Sequence, residues 1–339
     1  MLTQAWERAL AMVCITVISV AFIVVNPMML PAHRMVRHGS MTHRVACATS
    51  TPNVPDGPDG MGGCFPGASN TGVPSGVTLT TYSGPCTITT NNTTIDAKDM
   101  TACEPVSIKA NNVTITRSRL VQLFLDVDDP GVGGWSVSIS DSEIDRGQDI
   151  ATAQTNRALG GQNFTVQRVD VQGGYSTAFC WTNCQVSNSY FHNQWQVDPG
   201  EGPGNVHASA FRQQDNLALT HNSILCEVTF VPPDNGCSAD VSGYPDFGPI
   251  HDNSYDNNLF MANIDAGFCI YGGNTGAKPY SSDPANAKNI KIRNNIFQKG
   301  ASGKCGAFGP VTDYKNTEPT NEFTNNLYDD GASVPDGNF

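Results

Sequence analysis

Basic residues are scarce in this sequence. The 339-residue chain holds 19 Lys and Arg against 31 Asp and Glu, a formal net charge of −12, and a surface of that sign repels phosphate, which excludes nucleic acid as a general partner. Charge of either sign is thin, at 15% of residues. Net negative charge keeps an exported protein soluble, and only a local basic groove would admit an acidic glycan. Zinc-type cysteine spacing is missing, since no CxxC pair is matched with a second CxxC or a His. No aliphatic residue stands three positions before Cys47, where the chain reads Arg44-Val45-Ala46-Cys47, so lipidation is not expected. No clean small-x-small cleavage site follows Val25.

What is present points to a loop-rich β protein: 33 Gly, 21 Pro and a hydrophobic fraction of 39%, enough to bury a sizeable core while turning often. Eleven cysteines are many for a cytosolic chain. Cys14 falls in an apolar leader, and the ten that remain form an even set suited to disulfides in an oxidising compartment. Residues 9–25 are apolar apart from Thr16 and Ser19, so residues 1–30 are read as a signal peptide, with an uncleaved membrane anchor as the alternative. Arg34, Arg37 and Arg44 disfavour the anchored orientation. Residues 31–63, rich in Pro, Gly, Asp and Ser towards their end, read as a flexible linker. Residues 64–339 form the expected folded domain. Its first strands, around Val77-Thr78-Leu79-Thr80-Thr81-Tyr82 and Cys86-Thr87-Ile88-Thr89, look like an N-terminal capping element covering unpaired strand edges.

Beyond the cap one pattern recurs. Asn112-Val113-Thr114-Ile115-Thr116-Arg117-Ser118-Arg119-Leu120 is an early copy and Asn289-Ile290-Lys291-Ile292-Arg293-Asn294-Asn295-Ile296-Phe297 a late one. The last apolar residues of the copies, Leu120, Ile144, Val171, Phe191, Leu225, Phe260, Phe297 and Tyr328, lie 20 to 37 residues apart, a solenoid period with loop insertions. Each copy reads as strand, polar turn and strand, with alternate side chains in a shared core. Asn188, Asn222, Asn257, Asn294 and Asn325 are expected at one turn position, stacked as a ladder of amides. The fold class expected is therefore all-β, a single-stranded right-handed parallel β-helix.

With these motifs the sequence resembles right-handed parallel β-helix proteins of the pectate-lyase-like kind, over about residues 87–329. More narrowly, Phe65-Pro66-Gly67, Asn70-Thr71-Gly72-Val73-Pro74 and Lys304-Cys305-Gly306-Ala307-Phe308-Gly309-Pro310 look like a group of secreted actinobacterial β-helix proteins. The resemblance implies a secreted, extracellular location and a groove along an outward face that carries a long glycan. Phe179, Phe211 and Phe268 are expected to point inward, which turns Cys180, Arg212 and Cys269 outward.

Cys269 and Cys305 hold matching places one coil apart, and stacked strands ~4.8 Å apart suit a disulfide between them. Cys226 with Cys237 would close a loop, Cys180 with Cys184 would staple a turn, and Cys47, Cys64, Cys86 and Cys103 stay unassigned. Ionisable residues gather in the middle insertions. Hydrolysis of a glycoside needs two carboxyl groups, which Asp215 with Asp246 or Asp252 could supply. A lyase needs a base and a cation instead, for which His207 or His251 with Arg212 and Lys278 are candidates. Ser209 departs from the His-x-Asp-Gly-like segment of many β-helix polysaccharide enzymes. Trp195 and Tyr280 could stack on sugar rings beside Lys278, and Asp126, Asp128 and Asp129 are of the type that ligates calcium. The function expected is action on an extracellular or cell-wall polysaccharide, as hydrolase or lyase. The alternative is a noncatalytic glycan-binding or structural surface protein. A monomer is expected, touching membrane only through its leader if that is uncleaved.

Overall fold

A computed structural model describes residues 46–125, 134–147, 157–195, 207–233 and 235–336. The leader and the Asp126, Asp128 and Asp129 cluster fall outside them. Among the described residues no helix is long and apolar enough to cross a membrane.

The chain is a right-handed parallel β-helix. Each coil contributes one strand in turn to three parallel sheets, of ten, nine and nine strands. We call first the sheet running from Thr80–Thr81 to Leu327–Tyr328, second the one from Thr87–Ile88 to Gly309–Thr312, and third the one from Thr94–Asp96 to Glu322–Thr324. The period of two explains the third sheet directly: Val113–Thr116, Val137–Ser140 and Phe164–Gln167 alternate buried apolar with accessible polar residues, so each strand lays one face in the core. Stacking in register completes the burial. Phe191 meets Phe211 at 5.4 Å and Phe260 stacks on Phe297 at 4.8 Å between ring centroids.

Register also corrects two sequence expectations. In the first sheet Phe191 pairs with Ile224, and Ile224 with Phe260, so the core marker of that coil is Ile224 and not Leu225. At the corner between the third and first sheets, Asn188, His221, Asn257, Asn294 and Asn325 carry the left-handed backbone. Asn222 is one residue further on, in a buried ladder with Asn258, Asn295 and Asn326. There Asn222 N donates to Asn258 Oδ1, Asn258 N to Asn295 Oδ1 and Asn295 N to Asn326 Oδ1, at 2.9, 2.9 and 3.1 Å. Each rung also returns an amide N–H to a carbonyl of an earlier coil, as Asn295 does to Tyr255 at 2.9 Å. Adjacent asparagines thus divide the work: the first makes the turn and the second satisfies buried backbone groups that a turn would otherwise orphan.

The stretches expected to cap the solenoid are its first coil, with Thr80 paired to Lys98 and Thr87 to Ser107. At the far end an antiparallel bridge joins Leu327 to Ser333. Residues 46–63, expected as flexible linker, are folded onto the body instead. Asn53 Nδ2 donates to Asp329 O in the last coil at 3.0 Å and Gln298 Nε2 donates to Asn53 O at 2.8 Å. Asp59 approaches His221 at 3.3 Å, buried Phe65 stacks on the His221 ring, and Gly72 N donates to Arg168 O at 3.1 Å. This strap runs along the corner and ends where the first coil begins. Its composition forbids regular strands, and fixed contacts replace them: the Cys47–Cys64 disulfide and Asp side chains that accept from nearby backbone N–H groups.

Five disulfides close the described chain: Cys47–Cys64, Cys86–Cys103, Cys180–Cys184, Cys226–Cys237 and Cys269–Cys305. The last three are the pairs drawn from the sequence. The set is compatible with an extracellular protein.

Candidate functional site

The outward face of the second sheet gathers most of the expected chemistry. Its strands Ser176–Cys180, His207–Gln213, Gly236–Gly243 and Phe268–Gly272 place Phe179, Arg212, Ser242 and Tyr271 in one column. Phe179 therefore points outward, contrary to expectation, while Cys180 and Cys269 belong to the core cluster and Phe211 packs inward between Ala178 and Val241. Phe268 meets the rings of Tyr271 and Phe308 rather than the core cluster. Burial misled the sequence reading here. All five residues of Ser176–Cys180 are buried, so no alternation marks which side is which.

Arg212 is the centre of this face. Its guanidinium is ion-paired to Asp246, which also accepts from Lys278 Nζ at 3.0 Å. It lies 5.8 Å from the Tyr244 ring centroid and 5.9 Å from that of Phe247, and Lys278 Nζ lies 5.1 Å from Tyr244. Both ends of this cluster extend further. Phe247 meets Trp181 at 5.7 Å, Trp181 meets Phe179 at 5.9 Å, and Arg157 sits 4.3 Å over Phe179. On the other side Tyr244 meets Tyr271 at 5.0 Å and Tyr271 meets Phe268, which reaches Phe308. The result is an unbroken series of rings and cations crossing six coils, roughly 24 Å at ~4.8 Å per coil. Burial, with the Arg212 charge nearby, lowers the Arg157 guanidinium to about 10. Among the described residues no carboxylate is ion-paired with Arg157 to offset that burial cost.

The sequence-derived candidates divide into three groups on or beside this face. Arg212, Asp246 and Lys278 are joined, and Tyr280 sits on the same loop as Lys278, its N–H donating to Pro245 O at 3.0 Å. Asp215 and His251 form a second group at the corner with the third sheet. Thr182 Oγ1 donates to Asp215 Oδ2 at 2.9 Å, and His251 Nδ1 is 2.7 Å from Asp252 Oδ2. Burial raises the Asp215 carboxyl, while the Thr182 hydrogen bond and His251 pull it down. Asp215 N donates to Trp181 O at 3.3 Å, so this group borders the aromatic series. His207, third, is exposed at the start of its strand, its carbonyl accepting from the Tyr175 hydroxyl. Trp195 lies apart: its N–H donates to Gly174 O at 2.8 Å, and no ring contact among the described residues joins it to the face.

Sequence reasoning missed Arg157, Trp181, Tyr244, Phe247, Tyr271 and Phe308. Counting the outward column back from Arg212 by coil register would have reached Phe179 and Tyr271, but Tyr244, Phe247 and Phe308 come from connections that no period marks.

Among the described residues, the one grouping with the spacing of a metal site is Asp240, Cys269 and Cys305. Both sulfurs are taken by their disulfide, which leaves a single buried carboxyl and no ligand set. Comparison with protein-family models, with curated proteins and with solved structures finds no match for the chain.

Proposed function

We propose that the outward face of the second sheet binds an acidic extracellular polysaccharide laid along the solenoid axis. The observation that carries this reading is the series of rings and cations from Arg157 to Phe308 on a chain that is otherwise acidic. Ring faces take the apolar C–H faces of sugars, and guanidinium and ammonium groups take carboxylates, the former in two-point fashion. A run of roughly 24 Å suits an oligosaccharide stretch better than one sugar. The likeness of the sequence motifs to pectate-lyase-like proteins and the five disulfides support a secreted protein of this class. The test is calorimetry with polyuronates and neutral glucans. A polyuronate should bind with an affinity that falls with salt, and Arg212→Ala or Lys278→Ala should weaken it about tenfold or more. Equal binding of neutral glucan, or silence across the panel, defeats the proposal.

Cleavage is the second reading, and Asp215 favours it. A carboxyl raised by burial is suited to protonate a leaving oxygen. If the bound glycan is cut with Asp215 as acid, activity falls as pH rises through its raised value. Thr182→Val removes a hydrogen bond that favours the carboxylate, so it should move that alkaline limb to higher pH. A limb unmoved by Thr182→Val would take Asp215 out of the chemistry.

A further inference from the structure

Beside the cationic cluster the same face opens into a cavity of about 350 Å³, walled by Phe230, Tyr244, Ile264, Tyr271 and Phe308. Its position is not accidental with respect to apolar exposure. Among the described residues the most exposed large apolar side chains are Met61, Phe230, Phe247, Ile264, Tyr280 and Phe308. Three of these six rim this one cavity, and Phe247 and Tyr280 lie on the loops against the adjoining cluster. Such a concentration of uncovered apolar surface marks a binding site more often than it marks chance.

The lining is mixed, with aromatic rings dominant. The Tyr244 hydroxyl lies beside Ser238 and Tyr271, and ring faces share the wall with the polar side chains of His207, Asn235 and Asp265, which would meet a polar substituent on an entering ring. Small residues keep it open: a Cβ at Gly267 would come within 3.2 Å of the Tyr271 hydroxyl and of Ser238 O. Tyr244 is shared. One side of its ring environment is this cavity, and Arg212 and Lys278 stand 5.8 and 5.1 Å from its centroid.

We infer that this cavity is a subsite for an aromatic ring joined to an anionic sugar, the ring entering among Tyr244, Tyr271 and Phe308 while the carboxylate stays at Arg212 and Lys278. The volume lies at the lower end of small-molecule sites and suits one substituted ring rather than a second sugar chain. The inference rests on the acidic-glycan reading of the face and specifies what that glycan carries: a phenolic or other aryl substituent.

Three probes separate the two claims by NMR titration of the whole protein: methyl β-D-glucuronide, 4-nitrophenyl β-D-glucuronide and 4-nitrophenyl β-D-glucoside. The aryl glucuronide should bind about tenfold or more tightly than either of the others. Ala307→Trp, which fills the cavity from its accessible wall, and Phe230→Ala, which removes an exposed wall ring outside the ring-and-cation series, should each abolish that advantage while leaving methyl glucuronide and polyuronate affinity unchanged. If the two glucuronides bind alike, or both variants retain the advantage, the subsite is overturned and the acidic-glycan reading stands. If neither glucuronide nor polyuronate binds, that reading falls and takes the subsite with it.

Discussion

Asp240 has no exposed surface, and its Oδ1 accepts one hydrogen bond, from Cys226 N at 2.8 Å. Its Oδ2 is buried without a hydrogen-bond partner among the described residues. Burial pushes this carboxyl well above the usual carboxylate range. The folded state therefore holds a proton that the unfolded state releases near pH 4, and stability falls as pH rises from the unfolded value through the folded one. Asp240→Asn keeps the acceptor for Cys226 and removes the charge. We expect it to raise the melting temperature at pH 7 by a few degrees and to flatten its fall above pH 4, measured by calorimetry from pH 4 to 8. A variant no more stable than wild type at pH 7 would show that this carboxyl carries no such cost.

At the scale of the element, the corner asparagines have separable roles. Asn258→Leu would orphan the Asn222 N–H and the Leu219 carbonyl inside the ladder and should cost about 3 kcal/mol in urea unfolding. Asn294→Ala leaves that ladder intact and forces alanine into a backbone with φ of 57°, a loss of about 1 kcal/mol; equal losses would refute the division. The same corner explains what could be read in advance. Strand positions and core residues such as Ile139 and Val166 were legible, because a period of two survives in every copy of the third sheet. The asparagine register was not, because pairs such as Asn257-Asn258 and Asn294-Asn295 fit the turn in either of two frames. His221-Asn222 shows which frame holds only once the backbone is seen. The site was legible least of all: Arg212, Asp246 and Lys278 were among the candidates, but the rings that join them arrive from insertions whose conformation the repeat does not dictate.

Across the whole molecule, the polyanion binding proposed for a basic and aromatic strip on a chain of net charge −12 would be a local event, strongly dependent on ionic strength. The strap has a different reach. In repeat proteins each coil touches only its neighbours, so terminal coils open first and cheaply. Here residues 46–75 touch the last coil through Asn53 and the middle coils through Asp59 and Phe65 before entering the first. Cleaving the chain between Pro55 and Asp59, where the Cys47–Cys64 disulfide still retains both pieces, should speed hydrogen exchange in Leu327–Tyr328 while leaving the middle coils unchanged. Exchange there that ignores the cut would mean that the strap carries no tension. If the protection is real, the solenoid behaves less like a stack of coins than like a stack inside a buckled belt. Pulled at its carboxyl end, it should resist in one step and not peel coil by coil, since loosening the last turn means first undoing a band anchored at the opposite end.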